Sequence, residues 1–405
     1  MASMIPPAVG ILVAIVLTAG MAGAAAPPAD AASVLLESGQ VEQLRLWMNP
    51  GDWRALKQNY EGNKYYPAEM EWRGRRVENI GVRSRGKGSR RPQKPGLRLD
   101  FNRYEDRQEF LGLKSLALDN LAQDPPMLRE YLAMRLIRHA GYPAPREAFA
   151  RLAVNHEDLG LYLVVESVDK RFLERWKGPE FWDDDGGELY EYKWLEPDSF
   201  DYRGPDPAQY VPYPFMPQTH ELSPRPQPLV EFFGALAEAT AATVEEALAN
   251  RLDWDAFLRY LALETWVAES DGLLGDRGTN NFYLYRSSNG GRFRFLPWDR
   301  DASCNQYERG VFYNAERNRL TRLALNAPAL RARYVERLRE VAGLAGSDGG
   351  WWEQEMAEAW ERIRPYALAD PVKELDNASL EQSVEDLRFF VRERPRVVCQ
   401  EIGCQ

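Results

Sequence analysis

The sequence predicts an α+β protein, with a strand-rich N-terminal third and a mainly helical remainder, and three observations carry that reading. Residues 41–110 look strand-rich, with a tight hairpin at Gly74, a Gly-punctuated loop at Gly86/Gly88, and Leu97–Phe101 alternating as a half-buried strand. From Pro228 onward the pattern is helical, and residues 318–398 are mostly amphipathic helix. Two strand-like runs, Phe282–Arg286 and Arg292–Leu296, flank the turn Ser287-Ser288-Asn289-Gly290-Gly291. The chain has 405 residues, enough for a large core and two or three domains. Its 44% hydrophobic and 28% charged content is that of a folded globular protein.

Taken in order, residues 1–26 read as a signal peptide. Ala8–Ala26 is uncharged and ends in three small residues. An uncleaved membrane anchor is the alternative on length, and Pro27-Pro28 open a linker to residue 35. Trp72–Val77 forms a hairpin turning at Gly74, and Arg85-Gly86-Lys87-Gly88-Ser89 a loop. Leu97–Phe101 alternates as a strand. A helix follows, with Asp124 as N-cap, Pro125 at its first position, a stripe of Leu128, Leu132 and Leu136, and Gly141 as its stop. Phe149–Val154 and Leu161–Val165 pair around Asn155–Asp158. Residues 178–228, rich in Pro and Asp, read as a surface insertion or lid. Asp253 caps the next helix. Cys399 and Cys404 stand close enough in sequence to bridge or to remain free thiols on a tail.

Charge narrows the functions. The net charge of −10 argues against nucleic-acid or anionic-membrane partners. Positive charge gathers in residues 71–108, with twelve Lys and Arg against five Asp and Glu, which fits either an anion-binding face or a solvated basic face. The three His are scattered, so any chemistry falls to carboxylates. A hairpin returns its chain to where it began. Asn281, just before the first strand, and Asp299, just after the second, therefore lie side by side, with Asp271 at the end of the preceding helix in reach. Two carboxylates and an amide oxygen suit Mg²⁺. With Lys94 and the Gly86/Gly88 loop as phosphate ligands, they make a phosphoryl-transfer set. The same paired acids would also serve a glycosidase.

These residues sit in stretches that resemble the CotH family of spore-coat protein kinases. The stretches are Val82-Arg83-Ser84-Arg85-Gly86 with Lys94 downstream, Phe110–Lys114, Asp124–Arg129, Gly160–Asp169, Ser270-Asp271-Gly272, Asn281–Tyr285, Pro297-Trp298-Asp299, Glu361–Pro365 and Asp370-Pro371. The resemblance implies an atypical protein-kinase-like two-lobed fold, with a strand-rich N-lobe over 36–166 and a helical C-lobe over 167–405. It implies Asp271 as the catalytic acid, with Asp276 as rival at ordinary kinase-loop spacing. Asn281 and Asp299 become metal ligands and Lys94 the phosphate lysine, with Lys87 and Arg98 as rivals. Glu166 would hold the lysine or line the nucleotide pocket. The cofactors implied are ATP and Mg²⁺ or Mn²⁺. The partner is a coat or surface protein, and the location is secreted, cell-surface or spore-coat. A non-catalytic coat-assembly protein on the same fold is the second expectation, since Arg300 and the wide Asp271–Asn281 gap depart from the family pattern.

Overall fold

A computed structural model describes residues 30–195 and 200–404. The expected signal peptide, residues 1–26, lies outside the described residues. Among the described residues no helix is long and apolar enough to cross a membrane.

The fold is mixed α+β, and its strand-rich part closes on itself. The strands are β1 (Glu42–Met48), β2 (Tyr66–Trp72), β3 (Arg75–Ser84), β4 (Leu97–Asp100), β5 (Ser115–Asp119), β6 (Glu147–Val154) and β7 (Glu157–Glu166). They form a barrel in the order β1-β2-β3-β4-β5-β7-β6, closed by parallel pairing of β1 with β6. Closure removes the exposed edges that an open sheet would leave. Leu46, Met70, Ile80, Leu99, Leu116, Leu118 and Tyr162 belong to the barrel's own core. The alternate residues of β5 and β7, Ala117, Leu161, Leu163 and Val165, belong instead to the core shared with the helices. This two-faced burial explains the continuous apolar run of β7, which lies between β5 and β6. Asp119, two residues beyond Ala117, shares its outward parity.

The second sheet is β8 (Glu188–Tyr192), β9 (Phe215–Pro217), β10 (Phe282–Arg286) and β11 (Arg294–Pro297), ordered β11-β10-β8-β9. Helices Gln227–Glu238, Trp254–Trp266, Arg319–Asn326, Pro328–Ala345, Trp351–Leu368 and Asn377–Ile402 complete this half. Residues 178–228 are therefore more than the expected insertion or lid. They supply β8, which pairs with β10 through Tyr190 opposite Leu284. Phe200, Tyr210 and Phe215 from the same stretch are buried. The strands are only five and three residues long, too short to show a period among the surrounding Pro and Asp.

The helix expected at Asp124 begins later, at Arg129. Consecutive prolines at 125 and 126 disfavour helical geometry in the residues before them, and Met127 has φ +58°. Leu128, not Asp124, is the N-cap, but the Asp124 carboxylate still accepts the Arg129 N–H of the first turn at 2.8 Å. The N-cap reading of Asp253 holds, with its carboxylate accepting from the Ala256 N–H. Cys399 and Cys404 form a disulfide at the end of the last helix, and Cys304 is free and buried.

Gly160 has φ +72°, and a Cβ on it would stand 2.1–2.3 Å from the carboxyl group of Asp370. Backbone strain and displacement of a buried side chain then act together. Gly160→Ala is expected to cost about 3 kcal/mol of unfolding free energy, read from a denaturant melt.

Candidate functional site

The hairpin register builds the site. Phe282 pairs with Pro297, so Asn281 and the Trp298-Asp299 pair emerge together from one end of β10–β11. Both Asn281 (φ +55°) and Asp299 (φ +52°) adopt left-handed backbone, which is uncommon outside glycine and clusters where function imposes it. Asp271 follows the Trp254–Trp266 helix. Its Oδ2 accepts bonds from Asn281 Nδ2 at 3.0 Å and Asn280 Nδ2 at 3.1 Å. Because Asn281 spends its amide nitrogen on Asp271, its amide oxygen is left as a ligand. The floor beneath is polar and buried. Glu269 accepts from the Asp271 N–H at 2.7 Å and from Ser303 Oγ at 2.6 Å. Arg300 binds Glu264 at 2.9 Å and Tyr260 at 2.7 Å.

The structure thus brings Asp271, Asn281 and Asp299 together. It ties Asp276 elsewhere, to Arg309 at 2.8 Å and to Asn314 at 3.1 Å. Burial pushes the Asp271 carboxyl above its ordinary value, against the bonds from Asn280 and Asn281. Asp299 is pushed up to about 6, first by burial and then by Asp119 and Asp271, while Arg85 and Arg300 pull it down. Asp301 rises for the same reason, burial first and then Asp299 and Asp119.

Sequence reading missed part of this acidic centre. Asp119 ends β5, and Glu130 lies on the helix Arg129–His139. Glu130 is raised well above its ordinary value by burial, then by Glu147 and Asp299. Both carboxylate oxygens of Glu147 are buried without a protein hydrogen-bond partner. No period could have marked Glu130, because residues 130–134 of that helix are all buried. Arg85 was visible only as part of the glycine loop. Its Nη1 lies 3.3 Å from Asp119 Oδ2, and its guanidinium sits 5.5 Å from the Trp298 ring.

Two predicted residues go elsewhere. Lys94 Nζ is 2.7 Å from Asp370 Oδ2 and 5.2 Å from the Tyr162 ring, at the end of the barrel. The charges acting on it most strongly are Asp370, Asp119 and Lys373, not Asp299. Glu166 does not hold that lysine. Arg146 and Arg175 grip it at 2.8 and 2.6 Å, and against the opposing effect of burial they keep its carboxyl below the usual range. The two arginines sit nearer because the β6 start and the helix Lys170–Arg175 flank the end of β7.

A cavity of about 390 Å³ is lined by Arg91, Lys94, Asn120, Asp124, Met127 and Lys373, on the Lys94–Asp370 side, and none of Arg85, Asp271, Asn281 or Asp299 lines it. Its size suits a small ligand. Among the described residues no three acidic, His or Cys side chains form a ready-made metal cage. The donors nevertheless fit a hard divalent ion that completes its shell with water and phosphate oxygens. Asp299 is buried among Asp119, Asp271, Asp301 and Glu130, a local excess of negative charge that such an ion offsets.

The chain is 27% identical over 368 residues to the inner spore coat protein H of Bacillus subtilis (strain 168), covering 88% of this chain and 93% of that protein. It is also similar to the Helicobacter pylori proinflammatory kinase CtkA, at 9% identity and a TM-score of 0.27 over 76% of this chain and 92% of that one, too loose to carry over any residue or activity. The family model described as CotH kinase protein matches residues 82–398, from within β3 into the last helix, and the chain belongs to that family.

Proposed function

We propose that the protein transfers the terminal phosphoryl group of ATP to a Ser or Thr hydroxyl of a coat or surface protein. The scaffold is an atypical kinase-like pair of lobes that meet after Glu166. The convergence of Asp271, Asn281 and Asp299 at one end of the β10–β11 hairpin carries the reading. Family membership and the relative named as an inner spore coat protein support it.

In this reading Asp271 accepts the hydroxyl proton as the hydroxyl oxygen attacks the γ-phosphorus. The bond to the bridging oxygen breaks, and ADP leaves with that oxygen. The raised carboxyl of Asp271 suits a base that must take up a proton. Asn280 and Asn281 orient its carboxylate through the same oxygen, Oδ2. Asp299 and Asn281 would hold Mg²⁺ or Mn²⁺, which supplies charge neutralisation at the phosphates. Export to the cell surface or spore coat is part of the proposal, and the Cys399–Cys404 disulfide supports it, because such bonds persist in oxidising compartments.

Labelling with radioactive ATP tests the assignment of the base. Asp271→Asn is expected to lower incorporation about 10³-fold, and Asp276→Asn less than tenfold. Equal label in wild type and Asp271→Asn would refute Asp271 as base. A second reading, a coat-assembly protein that binds no nucleotide, is favoured by one observation, the commitment of Lys94 to Asp370. Calorimetric titration with Mg-ATP separates the two.

A further inference from the structure

Seven cations lie between Arg83 and Arg98, and the structure gives almost all of them a settled place away from Asp299. Lys94 is on Asp370, and Arg91 is paired with Glu374. Arg90 binds Asn63 and the carbonyls of Tyr60 and Gly62. Arg83 binds the Ser84 carbonyl, and Arg98 reaches Ser115 Oγ at 3.2 Å. Lys87 lies 4.3 Å from the Trp194 ring.

Arg85 differs. It extends β3 through a 2.8 Å bond from its N–H to the Gly96 carbonyl, directly before the Gly86-Lys87-Gly88 loop. Its side chain is only 16% exposed, wedged between Asp119 and the Trp298 ring. The carboxylates whose charges act on it are Asp119, Asp299 and Glu130, the members of the acidic centre. Two of its neighbours, Trp298 and Asp299, are consecutive residues at the exit of β11.

We propose that Arg85 is the cation that binds the nucleotide's terminal phosphates, and that before metal and nucleotide arrive it serves as the resting counter-ion of Asp119 and Asp299. The inference rests on the phosphoryl-transfer reading above. Asp299 and Asn281 would hold the divalent ion, which would supply the neutralisation that Arg85 otherwise provides. The guanidinium fork would then be free to pair with phosphate oxygens, the bidentate geometry for which arginine is suited. One cation leaves the carboxylates as a divalent ion joins them, and the added phosphate charge takes up the displaced one. Trp298 limits the guanidinium's freedom and so lowers the entropy lost when the phosphates bind.

The test uses the full chain as wild type, Arg85→Gln and Arg85→Lys, with calorimetric titration of three probes: Mn²⁺ alone, adenosine, and ATP with Mn²⁺. Arg85→Gln is expected to bind ATP with Mn²⁺ about tenfold or more weakly. It should bind adenosine as wild type does, and Mn²⁺ alone about threefold more tightly, because a competing charge has gone. Arg85→Lys recovers part of the ATP affinity. A merely structural arginine would weaken all three probes together, and that result overturns the inference. Wild-type affinity for ATP in Arg85→Gln overturns it alone. Failure of the wild type itself to take up ATP with Mn²⁺ overturns the phosphoryl-transfer reading and this inference with it.

Discussion

Asp299→Asn is expected to lower the proposed phosphoryl transfer by about 10³-fold or more, while raising the melting temperature at neutral pH. The two effects share one cause. Asp299 is a buried carboxyl surrounded by other carboxyls, pushed up to about 6 by burial and then by Asp119 and Asp271. A group with a raised folded-state value favours the fold in its protonated form. Its contribution is complete below about pH 4, the unfolded value, and is lost as pH rises through about 6. At pH 8 the wild type carries a desolvated, crowded anion that an amide does not. The variant should then be more stable by something on the order of 1 kcal/mol, with the gap closing toward pH 4. Loss of one partner for Arg85 reduces the gain but does not reverse its sign, because Asp119 remains 3.3 Å from that arginine. Melting curves from pH 4 to pH 8 check the stability arm, and Mg²⁺ adds an internal control. It should raise the wild-type melting temperature and leave that of Asp299→Asn unchanged, since the ion stabilises only a fold that binds it. A variant less stable than wild type at pH 8, with label retained, would remove Asp299 from the site.

How far the site was readable follows from what each residue depends on. Asn281 and Asp299 were found together because a hairpin is a local device, and its register brings the two ends together whatever the rest of the chain does. Asp271 came within reach because it follows closely on the helix Trp254–Trp266, which packs on the same sheet. Glu130, Glu147 and Asp119 arrive from the barrel strands β5 and β6 and the helix between them. Their meeting with Asp299 depends on how the two halves pack, which no local period records. Barrel closure was hidden for the same reason, since β1 pairs with β6 about a hundred residues away. Lys94 was grouped with the site by proximity in sequence. Lys94 lies in the basic stretch, but it precedes β4 at the mouth of the barrel, where Asp370 waits from the far end of the chain. In the insertion, sparse aromatics marked a buried element, but Pro and Asp dominated its composition.

The displaced lysine leads to the other large effect, in which Lys94→Met unfolds the protein more readily without removing its nucleotide affinity. The Asp370 side chain is fully buried and that of Lys94 is 7% exposed, so the pair has little water to fall back on. Asp370 also accepts the Leu161 N–H at 2.8 Å and the Val372 N–H at 2.9 Å, which fixes its carboxylate against β7. Removing the lysine leaves a buried anion with two amide donors and no direct ion pair, since Lys373 binds the Asp370 carbonyl rather than its carboxylate, at a cost of about 3 kcal/mol. The second mutation separates this from a ligand role. Lys94→Met with Asp370→Leu should be less destabilised than Lys94→Met alone, because the uncompensated charge has gone, and a double-mutant cycle by denaturant melts measures the difference. A free phosphate-binding lysine would behave in the opposite way. Its loss would leave the melt almost unchanged, Asp370 would be indifferent to it, and ATP binding would collapse. With Arg85 as the phosphate cation, Lys94→Met assayed well below its melting temperature should keep ATP affinity within about threefold of wild type, where one lost charge-assisted phosphate contact would cost tenfold or more. Stability and affinity therefore move apart if Lys94 is the barrel's internal ion pair, and affinity alone falls if it belongs to the nucleotide.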